Sequence, residues 1–517
     1  MIDNSIQNVS SKSRRAGVGL HISSLPGPYG IGELGWRART FIDRLVRMQI
    51  SVWQFLPTGP TAFGDSPYQP LSTFAGNELF IDTDNLIALQ LLDDDEVSEL
   101  KSLPQEFVDY DALIPIKSRL LRLAASRFAN SADQDLRSEF ARFLERNNSR
   151  WLHNYAVFRT LKTLHDEKLW PEWRPEYKNR DAAALLNFEE TESDSISAIK
   201  VLQFLFFRQW SALREYAQAN GVMLFGDLPI YIALDSADAW ADRETLLLDE
   251  DGRPKSVAGV PPDYFSDDGQ LWGNPLYDWE QHAANGFSWW IARLRASLEL
   301  ADLIRIDHFR GFESYWSVPA DALTARDGTW EQGPGDAIFD AMREAMGDLP
   351  VIAEDLGVIT PQVAALRDRQ HLSGMRVLQF EVCNVEFDLS DIAENSVCYT
   401  GTHDNDTTIG WFLGGVDDTR NQQGLSETQE AVLRLTGGTS ETVHTDMIKA
   451  AFSTAAHLAI APMQDYLGLG SEARINTPGV AGGNWRWRVM DTQLTPQFCD
   501  TVASMVFASE RIISNAK

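Results

Sequence analysis

Three short apolar runs of this chain end in a carboxylate. "LIRIDHFRG" (303–311) reaches Asp307, "VIAEDLG" (351–357) reaches Glu354, and "YTGTHDN" (399–405) reaches Asp404. One acid after an apolar run is most simply a turn residue or the N-cap of the next helix. Three at matching places carry more, because a parallel barrel collects the C-terminal ends of its strands on one face. Arg305 and Asp307 stand two apart, so on a strand both side chains leave from the same side. A guanidinium there favours the ionised carboxylate. A carboxylate nucleophile needs that; a plain structural ion pair is the simpler alternative.

Glu354 suits the opposite task. Beside two other carboxylates it resists ionisation, since like charges oppose one another. It can then donate a proton to a leaving oxygen. Once Asp307 is esterified its charge is gone, and Glu354 can act as base in a second step. Two carboxyls about 5–5.5 Å apart working this way define a retaining exchange at a glycosidic carbon. Asp355 alternates to the other side and is read as structural. His403, next to Asp404, is either a ligand for sugar hydroxyls or a satisfied loop histidine.

Eight strand-like runs can position these acids: 16–26, 51–57, 222–230, 301–309, 349–357, 375–382, 396–405 and 457–465. Most are separated by room for a helix. "GWRARTFIDRLVRMQI" (35–50) puts Phe41, Ile42, Leu45 and Val46 on one helical face. Eight strands alternating with helices predict an α/β fold, a TIM-type (β/α)8 barrel with helical insertions. Residues 15–85 and 222–517 are assigned to the interrupted barrel, and 1–14 to a flexible N-terminus. Residues 86–221 show 3.6-residue periodicity and end at Asn220-Gly221, a helix stop. They are read as a mainly helical inserted subdomain. Residues 249–279, rich in Gly, Pro, Asp and aromatics, are read as a loop that closes over the site as a lid. Residues 413–450 form a further insertion, and Thr495-Pro496 begins a final helix.

The formal net charge is −29, from 45 Lys and Arg against 74 Asp and Glu. That argues against nucleic acid or an anionic membrane as partner, because phosphate binding needs clustered cations. No apolar run reaches the roughly 18 residues of a membrane span. "MIDNSIQNVSSKSRRAG" lacks the apolar centre of a signal peptide, so a cytoplasmic location is expected. Cys383, Cys398 and Cys499 are odd in number and irregularly spaced, which fits neither a disulfide framework nor a zinc site. They are expected to be small buried hydrophobes.

From residue 17 onward the chain resembles the amylomaltases, the 4-α-glucanotransferases of the α-amylase-like clan. The stretches that carry this are "GVGLHISSLPGPYGIGELG", "GDSPYQPLSTFAGN", "FGDLPIYIALDSADAW", "GVPPDYFSDDGQLWGNPLYDW", "RIDHFRG", "IAEDLG", "GTHDN" and "NTPG…NWRWR". Eight in order are highly specific. The resemblance implies that Asp307 is the nucleophile, Glu354 the general acid/base and Asp404 the transition-state stabiliser. It places Arg305, His403, Tyr68 and Ser66 around the transferred sugar, with Tyr68 stacking on it, and has Asp227 either bind a hydroxyl or order the pocket. It implies α-1,4-glucans as substrates, glucose as acceptor, and no cofactor. The α-amylases proper carry an Asn-His pair after strand three where this chain reads "GDLPIY". The chain also ends about 50 residues after strand eight, too soon for their C-terminal β-sandwich. Both departures favour amylomaltase and remove the usual calcium argument, so no metal is expected.

Flat aromatics suit sugar faces, so Trp272, Tyr264 and Phe265 in the 249–279 loop are candidate lid contacts. Asn476 and Asn484 either touch sugar or form a turn. A monomer or weak homo-oligomer is expected. Four other readings stand beside this one. A metal-dependent barrel lacks a His-x-His at strand one, where the chain has "LHIS". A nucleotide site would rest on "LGLGSEA" (467–473) alone, without the helix and trailing acid it needs. An inactive glucan-binding scaffold would not need all three acids. Simple hydrolysis by an α-glucosidase or amylase at the same site is the nearest alternative.

Overall fold

The computed structural model describes residues 14–130, 134–262, 267–384, 386–415, 420–480 and 482–511. All but one residue of the expected flexible N-terminus lies outside this set, as do Tyr264 and Phe265. Among the described residues the strands in chain order are β1 (Arg15–Gly19), β2 (Val52–Gln54), β3 (Met223–Leu228), β4 (Ser256–Val260), β5 (Gln270–Pro275), β6 (Leu303–Ile306), β7 (Ser314–Pro319), β8 (Thr329–Gln332), β9 (Val351–Ala353), β10 (Gly374–Val377), β11 (Ser396–Tyr399) and β12 (Leu458–Pro462). Eight of them form one parallel sheet in the order β10-β11-β12-β1-β2-β3-β6-β9. A parallel bridge between Ile352 and Ser373 joins its two ends, and the Ala353 N–H donates to Ser373 O at 2.8 Å. The sheet is a (β/α)8 barrel, as the strand rhythm predicts.

Parity along these strands decides which residues reach the barrel interior. Val52, Phe225, Leu303, Ile352, Val397, Tyr399, Leu458 and Ile460 pack together inside. Their neighbours Leu224, Ile304, Ile306, Val351 and Ala353 join the outer core against the helices. The period is two, so Asp227 follows Phe225 inward, Arg305 follows Leu303, and Glu354 follows Ile352. The helix Trp36–Arg47 buries Phe41, Ile42 and Leu45 against this outer layer. Between β2 and β3 run long helices, including Tyr110–Ala129, His153–Leu164 and Ser193–Ala219. The last stops at Asn220, and Gly221 takes φ +72°, the left-handed C-terminal turn that glycine allows. The final helix, Pro496–Ala508, is capped by the Thr495 hydroxyl accepting from the Phe498 N–H.

Three expectations change. The 249–279 stretch contains β4 and β5, which pair antiparallel and join β7 and β8 in a four-stranded sheet of order β5-β4-β7-β8. Its partner β7 lies more than fifty residues further on, so no local pattern announces the pairing. Strand six is shorter than "MRVLQFEV" suggests: β10 stops at Val377, and Leu378–Glu381 turns into a short helix. Its neighbour β11 ends at Tyr399, opposite Val377, so further strand would have had no ladder partner on that side. Cys398 and Cys499 are buried but Cys383 is exposed, contrary to the expectation for all three. It sits just past that short helix, at the barrel rim.

Candidate active site

Register brings the first pair together. Asp227 lies directly opposite Arg305 across β3 and β6. Arg305 Nη1 donates to Asp227 Oδ2 at 2.6 Å, and Nη2 donates to Asp307 Oδ1 at 2.6 Å. Asp227 Oδ2 also accepts from the Tyr68 hydroxyl at 2.7 Å. Burial opposes the charge on Arg305, but the two carboxylates outweigh it and hold the guanidinium well above its ordinary pKa. Burial pushes the Asp227 carboxyl up, and Arg305 pulls against that. Arg305 is 4% exposed, while the Asp307 side chain keeps 29% of its surface open to the mouth.

Glu354 follows β9. Its Oε2 accepts from the His308 N–H at 2.6 Å and its Oε1 from the Leu356 N–H at 2.9 Å. His308 is in the left-handed region at φ +51°, a conformation uncommon outside glycine, and this turns its N–H toward the acid. The Glu354 carboxyl is pushed up to about 7. Burial is the largest cause, with the Asp307 charge adding to it and Arg305 and the two N–H groups opposing. The rise was expected from like charges alone; desolvation is the larger part.

Asp404 is exposed on the loop after β11, beyond the reach of strand parity. Asn476 Nδ2 donates to its Oδ1 at 2.7 Å, and Arg474 Nη2 donates to its backbone carbonyl at 3.0 Å. The predicted residue Asn476 therefore touches Asp404. Asn484 does not reach the acids: its amide spans its own turn, accepting from the Thr477 N–H and donating to Thr477 O and Val480 O. The His403 ring stacks on Tyr68 at 5.1 Å and 15°. Ser66 stands one turn back, its hydroxyl accepting from the Tyr68 N–H at 3.2 Å. Trp272 on β5 meets the His308 ring edge to face at 4.8 Å and donates its indole N–H to Gln270. Asp355 reaches away from the acids, accepting from the Met375 N–H and pairing with Arg367.

Sequence reasoning missed three contributors. His308 acts through its backbone, and backbone conformation leaves little trace in residue type. Asp465 is buried and holds both ends of the Asp404 loop, accepting from the Thr400 and Thr408 hydroxyls and the Thr408 N–H. Arg474 falls in the gap between "LGLGSEA" (467–473) and the stretch that begins at Asn476, and no motif covered it. Beside the acids, a cavity of about 730 Å³, counted with its open mouth, shares Arg305 and His403 with them and is further lined by His21, Gln54 and Tyr399. Among the described residues no group of three or more His, Cys, Asp or Glu could hold a metal ion.

An aspartate bound by a buried arginine, beside a glutamic acid pushed up to about 7 at the mouth of a (β/α)8 barrel, is the two-carboxyl arrangement that suits an enzyme acting on glycosidic bonds. The family model described as 4-alpha-glucanotransferase matches residues 20–494, and the chain belongs to that family. A 4-alpha-glucanotransferase of Synechocystis is 45% identical over 490 residues, 93% of this chain and 95% of the relative. One from Thermus thermophilus is 44% identical, covering 96% of this chain and 99% of its own length. Among solved structures, an amylomaltase from Streptococcus agalactiae in complex with acarbose superposes with a TM-score of 0.90 at 35% identity, over 96% of this chain and all of that one.

Proposed function

We propose that Asp307 and Glu354 divide the two steps of the reaction between them. The reaction is that of a 4-α-glucanotransferase of the EC 2.4.1.25 type: an α-1,4-linked glucan segment moves from one chain to another by retaining double displacement. Asp307 attacks the anomeric carbon while Glu354 gives its proton to the departing 4-oxygen. The old glycosidic bond breaks as the glucosyl ester forms. An acceptor 4-hydroxyl then attacks the same carbon, Glu354 takes the hydroxyl proton, and the Asp307 carboxylate leaves. Asp404 supports the positive charge that develops between these states, and Arg305 holds the Asp307 carboxylate in its ionised form. Tyr68, His403, Asp227 and Ser66 form the sugar subsite, and Asn476 orients Asp404.

The observation that carries this reading is Glu354, an acid pushed up to about 7 beside an Arg305-bound Asp307. A proton must be present in one step and absent in the next, and a carboxyl near neutrality can be in either state. The β4–β5 hairpin around Trp272 supports a lid that keeps water from the ester. Maltodextrins act as donors and glucose or a second maltodextrin as acceptor, with no cofactor. The net charge of −29 supports a chain free of nucleic acid and anionic membranes. Among the described residues no helix is long and apolar enough to cross a membrane; we read the location as cytoplasmic and the state as a monomer or weak homo-oligomer.

Incubation with maltotriose alone tests the reading. Glucose with maltotetraose and longer chains, at constant bond number, is the expected result. Glucose and maltose without longer products would make the enzyme a hydrolase and remove the water-excluding role of Trp272.

A further inference from the structure

The sequence "NWRWR" (484–488) takes no part in the mechanism above, yet Trp485 reaches the site. Its ring lies 5.9 Å from Tyr68 and 6.1 Å from His403, tilted 43° and 41° to them. It thus closes a three-ring cluster over the Tyr68–His403 stack, and it is 5% exposed. Its backbone is in the left-handed region at φ +63°. A bulky residue there is strained and persists where its surroundings over-determine it.

Those surroundings come from a distant part of the chain. The Trp485 N–H donates to Ile475 O at 2.6 Å. Its carbonyl accepts from the Tyr110 hydroxyl at 3.1 Å, and Tyr110 opens the first long helix between β2 and β3. The segment before that helix runs antiparallel to the tryptophan segment. Val108 N–H donates to Arg486 O at 2.7 Å, Arg486 Nε donates to Val108 O at 2.8 Å, and Arg488 N–H donates to Glu106 O at 3.0 Å. Arg488 is 1% exposed and donates on to Leu25 O and Gly27 O in the loop after β1. The pairing is anchored on both sides, so the ring has little freedom to shift.

We propose that Trp485 is a positioning residue for the sugar subsite, and that the helical insertion sets its place through Tyr110. The inference rests on the glucan-transfer reading of that subsite. The insertion then has a role in the reaction although it lies outside the barrel. The ring fixes the Tyr68–His403 stack from one side, as the Arg305-bound Asp227 fixes Tyr68 from the other.

Tyr110→Phe removes one hydroxyl and keeps the ring, so it tests the link with little disturbance. Maltotriose disproportionation is followed together with thermal unfolding. The expected result is a rise in KM on the order of tenfold, with a smaller change in kcat and an unfolding midpoint close to the parent's, since subsite misplacement acts on sugar binding. Trp485→Phe should retain much of the parent's kcat/KM, and Trp485→Leu should lose it, because a flat ring is what the stack needs. A parent-like KM in Tyr110→Phe would overturn the proposal. So would equal losses in Trp485→Phe and Trp485→Leu that follow only a reduced folded fraction. If the parent itself makes no longer chains from maltotriose, the transfer reading fails, and that failure is seen before any variant is compared.

Discussion

Arg305 holds two carboxylates at once, Asp227 through Nη1 and Asp307 through Nη2, each at 2.6 Å. The planar fork of a guanidinium can do this, whereas a lysine ammonium is one point charge on a flexible stem. Arg305→Lys is therefore expected to lose one of the two contacts and to reduce kcat by roughly a hundredfold through misplacement of Asp307, the nucleophile we propose. Arg305→Met would leave buried Asp227 without its cation and destabilise the fold by about 3–5 kcal/mol. Disproportionation rates and urea unfolding of the two variants check both statements.

In the mechanism we propose the free enzyme brings a protonated Glu354 to the first step, so kcat/KM is expected to fall as pH rises through about 7. Arg305 favours the ionised form of Glu354. Removing that cation in Arg305→Met should move the falling limb to higher pH. Rates of maltotriose transfer between pH 5 and 9 would show it, and Glu354→Gln should show neither the limb nor appreciable transfer.

Asn476→Ala removes the amide that holds Asp404 Oδ1 at 2.7 Å. A hydrogen bond to a charged group contributes about 1.5–3 kcal/mol, which corresponds to about tenfold or more in rate where it acts on the transition state. The expected change is in kcat, with the unfolding midpoint near the parent's. A change confined to KM would count against Asp404 as a transition-state contact.

Asp238 is buried and pushed up to about 7, chiefly by that burial. The folded chain therefore keeps a proton that the unfolded chain releases near its ordinary value of 3.8. Stability linked to this proton is complete below that value and is lost as pH rises through about 7. Asp238→Asn cannot ionise and can still accept from the Thr73 N–H. Its unfolding midpoint should gain on the parent's between pH 5 and 8, as scanning calorimetry at both ends would record.

Lys117 and Glu33 form an ion pair that is 1% and 6% exposed, and Glu33 also accepts from the Thr83 hydroxyl and N–H. Lys117→Met leaves that carboxylate buried without its cation and should destabilise the fold by about 3–5 kcal/mol. The double variant Lys117→Met with Glu33→Gln should recover part of the loss in the same unfolding assay.

The sequence by itself determined the barrel, the strands after which Asp307, Glu354 and Asp404 stand, and the shared side of Arg305 and Asp307. Those features follow from a period of two and from residue types within a few positions of each other, and neighbours in the chain are neighbours in space. It also marked the helix ends at Gly221 and Thr495, where one residue's backbone preference or side chain suffices. Tertiary structure alone decided the rest. Arg305 meets Asp227 from 78 positions earlier, and Asp404 meets Asn476 from 72 positions later. The antiparallel sheet joins β4 to β7 across two helices and a barrel strand. Glu354 owes its proton mainly to burial, and burial is set by everything packed around a group. Trp485 reached the site through pairing with a segment more than 370 positions away. Pairing and desolvation depend on which distant segments the fold brings together, and no local run of residues encodes that.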